Sequence, residues 1–544
     1  MARLKWDKVN IILFMKKWTV LIMLGVAQFI MILDSSVMNV SISQVAASLD
    51  TTISGMQAAI TMYALTMAAF MLTGAKLGDI WGRKRTFVIG SMVYATGSFL
   101  TAISGSLGML LTGWSLIEGL GAILVIPAIA ALTAINYSGK DRITAFSLLS
   151  VATGLAAALG PIIGGAVTTY LSWRYVFLGE TVVMIILILL SGRIADAKPT
   201  NKPKLDIPSV IMSASGMALF ILGVLISKTY GWIEPLKIPQ INGVDIAPFG
   251  ISIVAYMILA GILILIWFSR RQRKLMDAGQ SPLLDTTMLK IPVLRSGLSS
   301  FAAQYFTIAA IFFVIPVYLQ TIQGLDALQT GMKILPLSFG LVLFSPIGSR
   351  LSATVSPKRL VSAGKVLMFI GTVGMLSSID LEMKSVLFFI SMFIVGSGFG
   401  LLASQLGNLN MSAVDKSKTS EVGGLQGTFQ NIGTSLGVAI AGSIFLLNLT
   451  SGFISSVNSS DLPQNIKTQV SNVADTGLGI YTNDQAYDIA LEGTGNQQDA
   501  QELTSIYRDS QVQGLQTALF SIAVVTLLSL VFSRNLPNSV AKPS

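Results

Sequence analysis

Two side chains are missing altogether: the 544 residues include no cysteine and no histidine. Without cysteine there are no disulfides and no thiolate chemistry; without histidine the chain lacks a common zinc ligand and the usual proton carrier near neutral pH. Charge is scarce as well, at 11% of residues, against roughly 25% in a soluble chain. Apolar residues make up 52% and the mean hydropathy is +0.71. No ordinary core hides that much apolar surface, so the solvent for most of it is lipid and proton handling falls to carboxylates. The formal charge of +10 is spread over short loops, which argues against a nucleic-acid partner. There is no GxxxxGK[ST] loop for ATP, no metal-ligand cluster and no nucleophile–base pair, so neither an enzyme nor a cofactor or metal is expected.

What is present is a series of long apolar runs, at about 18–42, 54–77, 87–104, 108–135, 143–170, 175–193, 208–228, 246–269, 294–321, 331–352, 360–378, 385–409, 424–449 and 511–533. They predict an all-α polytopic membrane protein of fourteen spans. The first run follows Arg3, Lys5, Lys8, Lys16 and Lys17, is too long for a signal-peptide core and reads as an uncleaved span. Basic loops such as KLGDIWGRKR, GKDR and SRRQRK fall on one side, which predicts that both termini are cytoplasmic. The polar, acid-rich stretch 450–510 then lies outside, as a solvated tether or small cap.

The chain repeats itself. AKLGDIWGRKRTFVIG (75–90) aligns without gaps on SRLSATVSPKRLVSAG (349–364), GLGA (119–122) on GFGL (398–401), and Gly160 and Gly165 on Gly437 and Gly442. Two six-helix bundles with two inserted helices follow. The expected division is 1–193, the amino-terminal half; 194–290, two inserted helices and a linker; 291–449, five helices of the second half; 450–510, the outer loop; and 511–544, the last helix and tail.

Against this apolar background three carboxylates stand out. Glu118 lies in WSLIEGLGAIL with no basic residue beside it, about 15 Å along its span. Asp34 in LDSSVMNVSIS and Glu180 in WRYVFLGETVV lie about 12 and 9 Å deep by the same rise. An acid in a span costs roughly 3 kcal/mol to insert, so Asp34 and Glu118 are expected to line a wet central chamber and to change protonation there. The open alternatives are a structural hydrogen bond for Asp34, with help from Asn39, and an interfacial pair with Arg174 for Glu180.

Several motifs resemble those of the major facilitator superfamily, and most closely its fourteen-helix drug:proton antiporter branch. GAKLGDIWGRKR (74–85) is similar to the family's loop between the second and third helices, although Ala75 replaces the leading glycine. The resemblance implies an inner gate built from Gly78, Asp79, Gly82, Arg83, Lys84 and Arg85 that latches the halves. LDSSVMNVSIS resembles the branch's first-span motif, with Ser43 in place of its closing proline. GLAAALGPIIGG (154–165) resembles the antiporter motif, through Gly160, Pro161, Gly164 and Gly165. In the fourth span the family's arginine and glutamine are replaced by Trp114 and Glu118.

What the resemblance implies is a proton-coupled secondary transporter, exporting lipophilic and cationic compounds by alternating access from a bacterial plasma membrane. Its partners would be a small substrate, protons and the bilayer, and it would act as a monomer. Asp34, Glu118 and Glu180 are the candidate coupling residues; Asn39, Trp114, Tyr305, Gln426 and Gln430 are the candidate substrate contacts, aromatic rings being suited to lipophilic cations. A lipid exporter or flippase on the same scaffold is the alternative reading.

Overall fold

The computed structural model describes residues 2–137, 139–196, 204–235, 237–241, 244–245, 248–414, 419–475 and 478–538. Lipid offers no hydrogen bonds, so long helices that satisfy their own backbone dominate the fold. Helix α1 (Ala2–Val40) is followed by a short α2 (Ile42–Ser48) beyond Ser41. Next come α3 (Ile53–Trp81), α4 (Arg83–Ala102), α5 (Leu107–Asn136), α6 (Gly139–Tyr170) and α7 (Arg174–Leu190). A hairpin of α8 (Ile207–Tyr230) and α9 (Ile253–Asp277) follows. The second group is α10 (Pro292–Ile322), α11 (Ala327–Leu351), α12 (Pro357–Leu376), α13 (Ser385–Ser412) and α14 (Thr419–Ser459). Finally come α15 (Gln464–Asp475), α16 (Asn483–Thr494) and α17 (Gln497–Leu528).

Among the described residues, 13 helices are long and apolar enough to cross a membrane. The expected span at 87–104 is helical, as α4, but is not one of them. Its buried faces carry Gly90, Ser91, Gly97, Ser98 and Thr101. They let α4 pack closely on α5 and α7, at the expense of apolar character.

The helices form two sets. In the amino-terminal set α1 packs on α6, α4 on α5 and α7, and α3 on α5. In the carboxyl-terminal set α11 and α12 pack on α13, α10 on α14, and α17 on α12 and α14. Contacts of α3 with α14 and of α6 with α11 join the sets, and the α8–α9 hairpin lies against α3 and α14. Glycines fix these crossings. Gly160 faces Ser36 of α1 and Gly165 faces Ala327 of α11, while Gly437 faces Phe306 of α10 and Gly442 faces Gln57 of α3. The two pairs thus make the same contacts with the sets exchanged.

One part of the sequence alignment is out of register. Gly90 backs onto the carbonyl of Gly121, whereas Gly364 backs onto that of Gly398. Gly121 therefore corresponds to Gly398, two residues away from the pairing of GLGA with GFGL. Glycine-rich segments allow such slips because several registers match equally well by letter.

The described residues of 450–510 form a packed cap. It comprises the end of α14, then α15, α16 and the start of α17. Leu462, Ile466, Ile480, Leu503 and Tyr507 are buried. The Tyr507 hydroxyl donates to the Gly479 carbonyl at 2.8 Å and accepts from the Tyr481 amide at 3.0 Å. Gln511 reaches both Tyr507 and the Tyr481 carbonyl. The polar composition that suggested a tether belongs to the outer faces of these helices.

Candidate functional site

The π-helical turn over Leu111–Glu118 sets the geometry of α5. A wide turn of this kind re-aims the side chains that follow it, and it occurs preferentially at functional sites. Two glycines bring α4 and α5 together there. A Cβ on Gly97 would fall 2.4 Å from the Glu118 amide nitrogen, and one on Gly121 would fall 2.4 Å from that of Tyr94. Glu118 is thereby pressed into the interior of the amino-terminal set.

Asp34 of α1, Glu118 of α5 and Glu180 of α7 converge there. Each offers a carboxylate oxygen, and these oxygens all lie within 4.8 Å of one another. Their exposures are 0%, 0% and 1%, so the cluster is sealed from solvent. Trp114 Nε1 donates to Asp34 Oδ1 at 2.8 Å, and its ring stacks on Tyr63 with centroids 4.7 Å apart. The Tyr94 and Ser98 hydroxyls each donate to Glu180 Oε2 at 3.2 Å. Among the described residues no donor meets hydrogen-bond geometry at either Glu118 oxygen, Asp34 Oδ2 or Glu180 Oε1. Three carboxyls this close, with no lysine or arginine hydrogen-bonded to them among the described residues, repel one another unless protons or another cation join them.

The other residues read from the sequence are placed as follows. The cluster does not line an open chamber between the sets, as was expected of Asp34 and Glu118; α1, α3, α4, α5 and α7 enclose it. Arg174 points to the rim, donating to the Ser104 carbonyl at 2.7 Å and lying over Trp173, so it does not pair with Glu180. Asn39 donates to the Ser35 carbonyl at 2.7 Å rather than to Asp34. Trp114 is committed to Asp34 and Tyr63. Tyr305 sits between Phe301 and Phe399, Gln426 donates to the Gly407 carbonyl at 3.3 Å, and Gln430 is half-buried.

Gly160, Pro161, Gly164 and Gly165 lie where α6 meets both α1 and α11. Gly164 fits against Val37, and the Pro161 carbonyl against Gly331. Pro161 does not interrupt α6, which runs through it. In the basic loop Asp79 pairs with Arg83 one turn on, inside the same set. Arg83 also donates to the Ala75 carbonyl at 3.1 Å, and Gly78 makes room for its guanidinium. Gly82 adopts φ +92°, which lets α3 turn directly into α4. Lys84 is half-buried and Arg85 exposed. Lys76, in the same stretch, reaches out of it, its Nζ donating to Ser281 at 2.5 Å.

Sequence reasoning missed Tyr63, Tyr94 and Ser98 around the cluster, since hydroxyls in spans carry no pattern of their own. It also missed two glutamines that clasp the sets at the end opposite the basic loops. Gln57 of α3 donates to the Val438 and Ala439 carbonyls of α14 at 3.1 and 3.4 Å. Gln320 of α10 donates to the Val40 carbonyl at 2.5 Å and accepts from the Ser43 amide at 3.1 Å. At the basic end Gly424 and Gly427 of α14 close on Ala75 and Met71 of α3.

Paired helix sets of this kind, meeting over a glycine-lined seam, match a known group. Residues 24–438 match the Major Facilitator Superfamily. The chain belongs to that superfamily. It is similar to the probable actinorhodin transporter of Streptomyces coelicolor, 26% identical over 457 residues, covering 82% of this chain and 75% of that one. It is also similar to multidrug resistance protein Stp of Mycobacterium tuberculosis, 24% identical over 426 residues, covering 78% and 75%. The solved structure of a bacterial homologue of the human lysosomal transporter Spinster has the same fold, with a TM-score of 0.60 at 12% identity, covering 97% of this chain and 99% of that one. As a Major Facilitator Superfamily member the protein is a multi-pass membrane transporter, a family of carriers rather than enzymes.

Proposed function

We propose that this carrier exports lipophilic, cationic compounds from a bacterial cell in exchange for protons, by alternating access. The observation that carries the reading is the sealed cluster of Asp34, Glu118 and Glu180, with oxygens within 4.8 Å and, among the described residues, no basic partner hydrogen-bonded to it. Export of drug-like compounds is supported by relatives whose names are a probable actinorhodin transporter and a multidrug resistance protein.

In this reading α4 is a fourteenth crossing, since it packs along α5 and α7, and α8 and α9 are the inserted pair. The basic loops put both termini and the Asp79 loop in the cytoplasm, and the cap outside. The protein works as a monomer, with residues 1–193 and 291–544 as its two halves.

The mechanism runs through helices that serve both the cluster and the seam. Helix α1 carries Asp34 and, six residues on, Val40, whose carbonyl holds Gln320. Helix α3 carries Tyr63, stacked beneath Trp114, and Gln57, which holds α14. Protonation allows the acids to pack together, and the outer contacts close around them. Loss of the proton leaves like charges that repel, so α1 and α3 shift and the seam is biased toward the other opening. A cation arriving from the cytoplasm offsets this repulsion but, being larger than a proton, keeps the acids apart, so the seam still shifts to the outer opening, where a returning proton displaces it.

The test is Glu118→Gln, nearly isosteric and unable to ionise, in energised everted vesicles with ethidium as probe. Ethidium accumulation and the accompanying proton movement are expected to be lost while the folded yield and melting temperature hold. Full coupled transport by this variant would refute the assignment. A carrier that moved a fluorescent phospholipid and ignored ethidium would favour the lipid-exporting alternative.

A further inference from the structure

Lys365 is the only lysine or arginine among the described residues that is buried, at 1% exposure. It lies in α12, in the carboxyl-terminal set, and takes the place that Ser91 occupies in α4 of the amino-terminal repeat. Its Nζ donates to Ser300 Oγ of α10 at 2.9 Å. At the end of α17 it donates to the Ser529 carbonyl at 2.7 Å and to Ser533 Oγ at 3.0 Å. The Phe532 ring lies 5.9 Å away. A buried ammonium normally has a carboxylate partner, because a lone charge in a span costs several kcal/mol.

Among the described residues no carboxylate faces it. Helix α13, packed on one side, has no ionisable side chain. Those of α17 (Asp499, Glu502, Tyr507, Arg508 and Asp509) all lie in its far half, twenty or more residues from Ser529. Helix α10 offers Arg295 at its exposed start, Tyr305 and the distant Tyr318, while α12 itself adds Lys358 and Arg359 at its first turn. Arg534 follows the last turn of α17 and its carbonyl accepts from Lys358 at 2.8 Å.

The composition of the cage is informative. An ammonium has three donors, and three oxygens accept them. A neutral amine has two donors and one lone pair. The Ser529 carbonyl can only accept, but the hydroxyls of Ser300 and Ser533 can rotate to donate. The same cage therefore satisfies both forms without orphaning a buried group, which a carboxylate or an all-carbonyl cage would not do. Gln304, one turn beyond Ser300 and also buried, has both amide atoms unpartnered and offers a further donor and acceptor. The cage is also mechanically exposed to the seam: Ser300 shares α10 with Gln320, which clasps α1.

We propose that Lys365 is a second proton-exchanging group of this carrier, seated in the carboxyl-terminal half between α10, α12 and the end of α17. The step is a simple transfer: the ammonium N–H bond breaks, its electron pair stays on nitrogen, and the proton passes to water admitted from the basic end. Only the timing of this step within the cycle rests on the coupled-export reading; the exchange itself does not.

The test is a potentiometric titration of the purified full-length protein in lipid nanodiscs, without substrate, between about pH 6 and 9. Wild type is expected to release one more proton per chain than Lys365→Arg, since a guanidinium stays charged throughout. Coincident curves from two folded proteins would overturn the proposal. Should replacement of the lysine prevent folding, the Ser300→Ala/Ser533→Ala double variant keeps it but removes the rotating hydroxyls. Its one-proton step should then move by about one pH unit or more, and an unmoved step would equally overturn the proposal. Glu118→Gln should leave the step in place, so failure of the export reading is distinguishable from failure of this one.

Discussion

Gly97 and Glu118 touch backbone to backbone: a Cβ on the glycine would stand 2.4 Å from the glutamate's amide nitrogen. The acid cluster is held together by this absence of a side chain as much as by any polar contact. Gly97→Ala should therefore push α4 away from α5 and separate Glu118 from Glu180 and Ser98 without altering a single acid. We expect a stability loss of about 1–3 kcal/mol, typical of an overpacked crossing. Ethidium export should fall at least tenfold. A variant that transports normally at its usual stability would show that the α4–α5 spacing does not matter to the site.

The glutamine clasps should set how firmly the end opposite the basic loops shuts, which is the outer end in the proposed orientation. Each hydrogen bond contributes about 1 kcal/mol net. Removing both clasps with Gln57→Ala and Gln320→Ala should bias the carrier toward opening at that end, by about tenfold or more in population. Because the chain has no cysteine, one introduced at Asn39 is a unique reporter. Its labelling by a water-soluble maleimide should accelerate in the double variant; an unchanged rate would count against the clasps as a gate.

At the basic end, Arg271 grips Asp206 through two hydrogen bonds of 2.7 Å, and Asp206 also caps α8 through the Ser209 amide. The arginine holds the Asp206 carboxyl well below its ordinary range, at about 2. A folded value below the unfolded one means that the pair stabilises the protein above about pH 4, and that this is lost as pH falls toward 2. The guanidinium is exposed, so solvent screens the pair and the effect on stability is small. Asp206→Asn should melt earlier than wild type at pH 6, and the gap should narrow near pH 2.5. A gap that persists unchanged there would mean that the cap, rather than the charge, carries the effect.

Thirteen of the fourteen apolar runs, the repeat apart from its GLGA–GFGL register, and the three acids were legible in the sequence; α4 falls short of the others because small and polar residues at its crossings replace apolar ones. The convergence of the acids was not legible. It depends on the π turn before Glu118 and on two glycines of α4 and α5, whose role appears only once the helices cross. Lys365 was legible in principle as a lone cation in an apolar run, but only its hydroxyl cage gives it meaning. Gln57 and Gln320 could not be singled out, because seam-facing and lipid-facing polar residues look alike until the partner helix is known. The chamber expected around Asp34 and Glu118 assumed that a costly acid must meet water directly. Enclosure beside Trp114 is a second way to tolerate it.

Tyr507 should govern the integrity of the cap alone. Tyr507→Phe keeps the ring against Phe453, at 5.7 Å, but orphans the Gly479 carbonyl and the Tyr481 amide, a loss of about 1–3 kcal/mol. Limited proteolysis between α15 and α16 should speed up severalfold while ethidium export stays within twofold of wild type. A large fall in export would give the cap a part in the cycle.

Carriers of this size are hard to image because so little of them projects beyond the detergent belt. The folded crown formed by α15, α16 and the first turns of α17 is an exception, packed on the end of α14 and joined to α10 by Asn483, which donates to the Ile322 carbonyl at 3.2 Å. An antibody fragment bound to it would serve as a fiducial whose tilt reports the orientation of the carboxyl-terminal set. Its angle could then be followed, particle by particle, as pH or cargo changes.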